Sequence, residues 1–179
     1  MSNENLTEEK QSENNQPSNK FAVQRIYSSG STYKLSHVPQ IFKSEWKPKI
    51  DMEIQAKNEK MEENIFNVNL TINVIAKNND MTAFTAEVNQ GGIFNVEGFS
   101  EEQLKQILQA NAADILFPYA SKKITDMSVE ATLPPIILQP ISFAAVYAQQ
   151  KQNAQKEQNK QTEEAEKIIV KESDVITKH

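Results

Sequence analysis

From Phe66 to Ala76 every second residue is apolar: Phe66, Val68, Leu70, Ile72, Val74 and Ala76 alternate with Asn67, Asn69, Thr71, Asn73, Ile75 and Lys77. A period of two means a strand with one face in a core and the other toward water. The segment before it repeats the pattern, with Ile50, Met52, Ile54 and Ala56 opposing Lys49, Asp51, Glu53, Gln55 and Lys57. The segment after it places Phe84, Ala86, Val88 and Gln90 opposite Thr85, Glu87 and Asn89, and the pair Gly91-Gly92 is expected to end that strand. The connections Asn58–Asn64 and Lys77–Met81 are too short for a crossover helix, so these strands are expected to form an antiparallel meander. Phe21–Tyr27 alternates less cleanly and reads as a further strand, at an edge or covered by another subunit. Ser28–Thr32 then reads as a turn or bulge, and Tyr33–Ser36 as a continuation or a second strand.

The period changes after Phe99. Ser100 followed by Glu101, Glu102 and Gln103 is a capping box. Leu104, Ile107, Leu108, Asn111, Ala112 and Ile115 then give the spacing of one helical face. Pro118 is expected to kink or interrupt this helix, because it lacks a backbone donor and crowds the preceding turn. Ala120, Ile124, Met127 and Ala131 resume the stripe, Leu133–Pro140 reads as an extended return, and Ser142 is placed to cap a last helix carrying Phe143, Val146 and Tyr147. The stretch His37–Lys49 has two prolines and no period, yet carries Val38, Ile41, Phe42 and Trp46: a loop that lays apolar side chains on something, either its own core or a binding groove. The fold class expected is α+β, a two-layer arrangement of an antiparallel sheet packed with helices. Residues 1–20 form a polar arm, 21–150 the folded domain and 151–179 a polar tail interrupted by Ile168–Val170.

Composition narrows the function by exclusion. The 179 residues contain no cysteine, one arginine and two histidines, His37 and the terminal His179. Thiolate chemistry, disulfides and cysteine-based zinc sites are therefore out. A formal net charge of −5 disfavours nucleic acid as a partner. The glycine pair lacks the spacing of a phosphate-binding loop and reads as a bulge or a close backbone approach. No paired-carboxylate or nucleophile–base arrangement emerges, so a binding protein without cofactor or metal is expected rather than an enzyme. The opening residues lack the apolar core of a signal peptide and no run approaches membrane-spanning length, which points to the cytoplasm.

At Gln24–Tyr27 (QRIY), Glu87–Phe94 (EVNQGGIF) and Ile115–Ala120 (ILFPYA), and across the Trp46 loop and the segment TLPPIILQPISF, the chain resembles the bacterial protein-export chaperone family SecB. The resemblance spans about residues 21–150. It implies a four-stranded antiparallel sheet under helices, assembled as a homotetramer that is a dimer of dimers. It also implies a role in holding unfolded precursor proteins and passing them to SecA, the ATPase of the Sec translocase. A SecB-like chaperone dedicated to a single cytoplasmic partner, such as an antitoxin, is the alternative. Groove candidates in the matched segments are Phe42, Trp46, Phe94, Phe117 and Phe143. The family's SecA-docking positions fall on Glu87, which keeps its carboxylate, on Gly30 and Lys34, which replace acidic residues, and on Thr85, which replaces a leucine. Contacts between subunits are expected at Gln24 and along the helix at Ala110, Ala112 and Ala113.

Overall fold

The computed structural model describes residues 19–152. The polar arm and tail, including Ile168–Val170, lie outside the described residues apart from their inner ends. Four strands, β1 (Lys20–Leu35), β2 (Lys49–Lys60), β3 (Ile65–Asn78) and β4 (Met81–Glu97), form one antiparallel sheet in the order β1-β4-β3-β2. Strands β2, β3 and β4 make the expected meander. β1 joins its far side instead of pairing with its neighbour in sequence, which leaves β1 and β2 as the two edges.

The alternation read from the sequence decides the faces. Phe66, Val68, Leu70, Ile72, Val74 and Ala76 of β3, with Phe84, Ala86 and Val88 of β4, are all buried against the helical layer. The intervening Asn and Thr residues form the outer face. β1 is a single long strand carrying two irregularities, at Val23/Arg25 and Ser28/Gly30, so Ser28–Thr32 is a bulge within one strand. Each bulge adds an unpaired residue, Gln24 and Ser29, and shifts the face by one position. That shift explains why the alternation of Phe21–Tyr27 reads as imperfect. At the second bulge, buried Gln90 donates through Nε2 to the Tyr27 carbonyl at 2.8 Å.

Two expectations are corrected. The pair Gly91-Gly92 does not end β4, which runs on to Glu97. Both glycines sit under aromatic neighbours: a Cβ at Gly91 would lie 2.3 Å from Tyr27 Cζ, and one at Gly92 would lie 2.6 Å from Phe94 Cε2 and 2.9 Å from Leu116 Cδ2. The close-approach reading of the glycines holds, while the strand end does not. Pro118 does not interrupt the helix either. Helix α1 (Glu101–Gln106), opened by the Ser100–Gln103 capping box, passes through a π-helical turn at Ile107–Asn111 into α2 (Ala112–Glu130), which is continuous through Pro118. The irregularity sits about two to three turns earlier, where the Ala112 N–H reaches the Ile107 carbonyl.

α2 lies chiefly across β4 and β3, and the π turn reaches β2. The return segment 131–140 is pinned to α2 at Ile136. Its N–H donates to Ser128 Oγ at 3.0 Å and its carbonyl accepts from Thr125 Oγ1 at 2.7 Å. Ile136 and Leu138 are buried while Ile137 points outward. A last helix, α3, starts at residue 143 and runs to the end of the described residues. Its first turn is capped by Ser142, whose Oγ accepts from Ala145 N at 3.3 Å.

Candidate functional site

An edge strand receives less cover than a central one, and β2 shows the consequence. Its inward residues Met52, Ile54 and Ala56 are only half-buried, because α2 crosses the sheet over β4 and β3. Between this edge, Gln109 of the π turn and the start of α3 lies a cleft of about 480 Å³, floored by Met52, Ile54 and Ala56 and walled by Ile141, Phe143 and Tyr147. A second cleft of about 580 Å³ adjoins it on the other side of α3 and shares Gln109, Tyr147 and Gln150. α3 therefore stands in a trough, held by Phe143 at its root. Phe143 meets Phe117 edge to face, with ring centroids 5.8 Å apart. At the outer end Lys151 pairs with Glu102 of α1. That contact lowers the Glu102 pKa and raises the Lys151 pKa, each chiefly through the hydrogen bond between them.

The five aromatic groove candidates divide. Phe143 and Phe117 are buried, at 5% and 8% exposed: Phe143 reaches the cleft only at its wall, and Phe117 lies behind it with no surface of its own to offer. Phe42, 48% exposed, and half-buried Trp46 belong to the loop 36–48, which carries the chain from β1 across to β2. Phe94 is a correction: it is completely buried and stacked on Phe21 at 5.7 Å, so it has no surface to offer. Its position on the inward row of β4 was the available signal, since Val88 and Gln90 share that row.

The outer face of the sheet brings the other set together. Registers across the four strands give three successive rows: Gln55–Thr71–Asn89–Gly30, Glu53–Asn73–Glu87–Thr32 and Asp51–Ile75–Thr85–Lys34. Gly30, Lys34, Thr85 and Glu87 thus fall within one patch of β1 and β4, beside a shallow depression that also contains Glu53. Glu87 is exposed and accepts from Asn89 Nδ2 at 2.8 Å, and Asn89 Oδ1 accepts from Thr71 Oγ1 at 2.7 Å. Asp51 is tied to Lys77 at 2.9 Å.

The helix alanines are a second correction. Ala110, Ala112 and Ala113 are buried inside the protomer, facing its own sheet, and none is available to a neighbouring subunit. Small side chains there let the helical layer approach β4 closely, with Leu116 reaching Gly92. Gln24, by contrast, is exposed at the first bulge of the β1 edge. Among the described residues no three His, Asp or Glu side chains are grouped to hold a metal, and no helix is long and apolar enough to cross a membrane.

Comparison with known proteins agrees with this architecture. The family described as "Preprotein translocase subunit SecB" matches residues 12–154. A protein-export protein SecB from Hahella chejuensis is 41% identical over 145 residues, 81% of this chain and 91% of the relative. One from Nitrosococcus oceani is 38% identical over 154 residues, 85% of this chain and 93% of the relative. Among solved structures, a SecB-like chaperone of Mycobacterium tuberculosis in complex with a peptide from an antitoxin superposes with a TM-score of 0.58 at 17% identity, covering 68% of this chain and 91% of that one.

Proposed function

Since the chain belongs to the SecB family of chaperones, which are not enzymes, we propose that it holds unfolded precursor polypeptides in the cytoplasm without ATP and delivers them to SecA for export. The observation that carries the reading is the trough along the β2 edge. An unfolded polypeptide exposes apolar side chains along an extended backbone. The half-buried row Met52, Ile54 and Ala56, facing Phe143 and Tyr147, offers apolar contact without a deep pocket that would demand one sequence. Phe42 and Trp46 offer a further apolar surface on the crossing loop, outside the lining of the trough, and Phe117 packs on Phe143 from behind.

Each such site is shallow and individually weak. Assembly as a homotetramer, a dimer of dimers, places four troughs within reach of one client, so later contacts are intramolecular and weak sites combine into tight, reversible holding. Gln24, on the exposed β1 edge, is the remaining subunit-contact candidate. The outer patch around Glu87, Thr85, Gly30 and Lys34 is the surface proposed for SecA, and identity to export proteins of 38–41% over most of the chain supports that partner.

Titrating the assembled protein with a reduced, unfolded precursor, with and without SecA, tests both halves. Saturable binding that SecA converts into a ternary complex is expected. Binding of clients with no response to SecA refutes delivery, and failure to bind unfolded chains refutes the holding function. A second reading, dedication to one cytoplasmic partner, is favoured by the antitoxin peptide in the M. tuberculosis structure and by the loss of acidic side chains at Gly30 and Lys34. Recovery of one dominant cytoplasmic protein from cells, in place of many envelope precursors, would support it.

A further inference from the structure

Because β1 and β2 are the two edges of the sheet, the chain between them must pass over the end of the β3–β4 hairpin. This connection, residues 36–48, has no hydrophobic period of its own, so its path depends on where it is fastened. Ser36 N donates to the Ala83 carbonyl at 2.8 Å at its start, and Ile41 plugs into the core. Its second half is fastened by Trp46, which packs half-buried against the core, and by hydrogen bonds to one side chain outside the loop. Asn78, the last residue of β3, is completely buried, and both of its side-chain heteroatoms are used by this loop. Oδ1 accepts from Lys47 N at 2.9 Å, while Nδ2 donates to the Glu45 carbonyl at 3.0 Å and to Ser44 Oγ at 3.2 Å. Ser44 Oγ donates onward to the Ile41 carbonyl at 3.2 Å, joining the short 3-10 turn Gln40–Lys43, which carries Phe42, to the same network.

We propose that Asn78 is a positioning residue for polypeptide capture: by bonding the backbone on both sides of Trp46 and, through Ser44, the turn that carries Phe42, it holds these two aromatic side chains where a client meets them. The inference rests on the reading that Phe42 and Trp46 face clients. The chemistry requires an amide at this position. One acceptor and two donors are engaged at once, and a carboxylate of the same shape has no donor for the Glu45 carbonyl. A role confined to the hairpin is a poor fit, because all three bonds go to residues more than thirty positions away and none to Asn79 or Asp80. Loss of the amide would leave the part-buried Glu45 carbonyl and Lys47 N–H without their partner, and the loop would exchange among other paths. Client affinity then falls with the fraction of molecules that keep the competent loop.

Trp46 is the only tryptophan in the chain, so the loop reports on itself. The test uses the full-length protein and reduced, carboxymethylated α-lactalbumin as client, with Asn78→Ala, Ser44→Ala and Trp46→Ala compared. For Asn78→Ala a client Kd raised about tenfold is expected, with Trp46 emission moved to longer wavelength and its anisotropy lowered. Ser44→Ala, which removes a link from the loop side and leaves the sheet untouched, should move all three in the same direction by about two- to threefold in Kd. It decides the matter if Asn78→Ala does not fold. Wild-type Kd and Trp46 emission in the folded variants, with binding weakened only in Trp46→Ala, overturns the positioning role alone. Unchanged binding in Trp46→Ala overturns the client-facing reading of the loop and the proposal with it.

Discussion

Gly92 tests whether the glycine pair is a spacer for close packing. A Cβ built on Gly92 would stand 2.6 and 2.9 Å from two atoms of the Phe94 ring and 2.9 Å from Leu116 Cδ2. Leu116 can rotate its terminal methyl, but Phe94 is completely buried and stacked on Phe21, so the ring has little room to yield. Overpacking of this kind costs about 1–3 kcal/mol. Replacing glycine lowers the entropy of the unfolded chain and returns about 0.4–1 kcal/mol. Gly92→Ala is therefore expected to be less stable by about 1–2 kcal/mol, a fall of several degrees in midpoint for a domain of this size. Gly30→Ala is the control: no atom lies within 4 Å of its Cβ position and its backbone is not left-handed, so only the entropic gain applies. Urea denaturation followed by far-ultraviolet circular dichroism, at fixed protein concentration, reads both variants. A Gly92→Ala variant as stable as Gly30→Ala would refute the close-packing account.

Further expectations concern the helical layer and the trough. Ala112→Leu should destabilise the protomer by about 1–3 kcal/mol, because this alanine faces its own sheet; a stable protomer that merely loses tetramer mass in light scattering would contradict the burial. Phe143→Ala removes the Phe117 contact at the root of α3 and should cost about 3 kcal/mol or more locally, seen as faster hydrogen exchange over 143–152 with the strands protected. The Glu102–Lys151 pair also holds α3. The folded pKa of Glu102 is depressed, so its contribution is present above the unfolded value and lost as pH falls through the folded one; that of Lys151 is raised, so its contribution is present below the unfolded value and lost as pH rises through the folded one. Protection of the α3 amides, relative to their intrinsic base-catalysed exchange rate, should be highest between the two ranges and lower in high salt, since both groups are exposed. A flat pH profile would show that the pair is not holding the helix.

Most of the sheet was legible because a period of two reports burial directly. Each alternating position named in β3 and β4 points as the pattern requires, and the capping box marks the helix start at Ser100. Strand order was less legible. Nothing local to Phe21–Leu35 states that it pairs with β4 rather than β2, and the two bulges conceal its length by breaking the alternation. The alanines misled because small residues suit a close approach on either side of a helix, and only the tertiary arrangement decides which neighbour approaches. Asn78 was invisible for a similar reason: it lies on the apolar row of β3 as an apparent exception, and its partners lie across the fold.

The outer sheet face carries the final prediction. On the docking surface proposed for SecA, the resemblance points to Glu87, Gly30, Lys34 and Thr85, of which only Glu87 carries a carboxylate, so a basic partner there needs another carboxylate nearby. Asp51 is compromised by its 2.9 Å pair with Lys77. Glu53 has no ion-pair partner among the described residues and stands in the same cross-strand row as Glu87, with only β3 between them. Two strand spacings put the two side chains about 10 Å apart on one face, close enough to act on one basic segment and far enough not to repel strongly in water. Glu53→Lys and Glu87→Lys should then each weaken SecA binding severalfold and reduce its salt dependence, and the double variant should combine both losses. α-Lactalbumin affinity should persist in Glu87→Lys, which lies away from the trough, while Glu53, whose strand borders both surfaces, permits a modest change there. Full SecA affinity in Glu53→Lys, measured where Glu87→Lys is defective, would show that the row does not act as a unit.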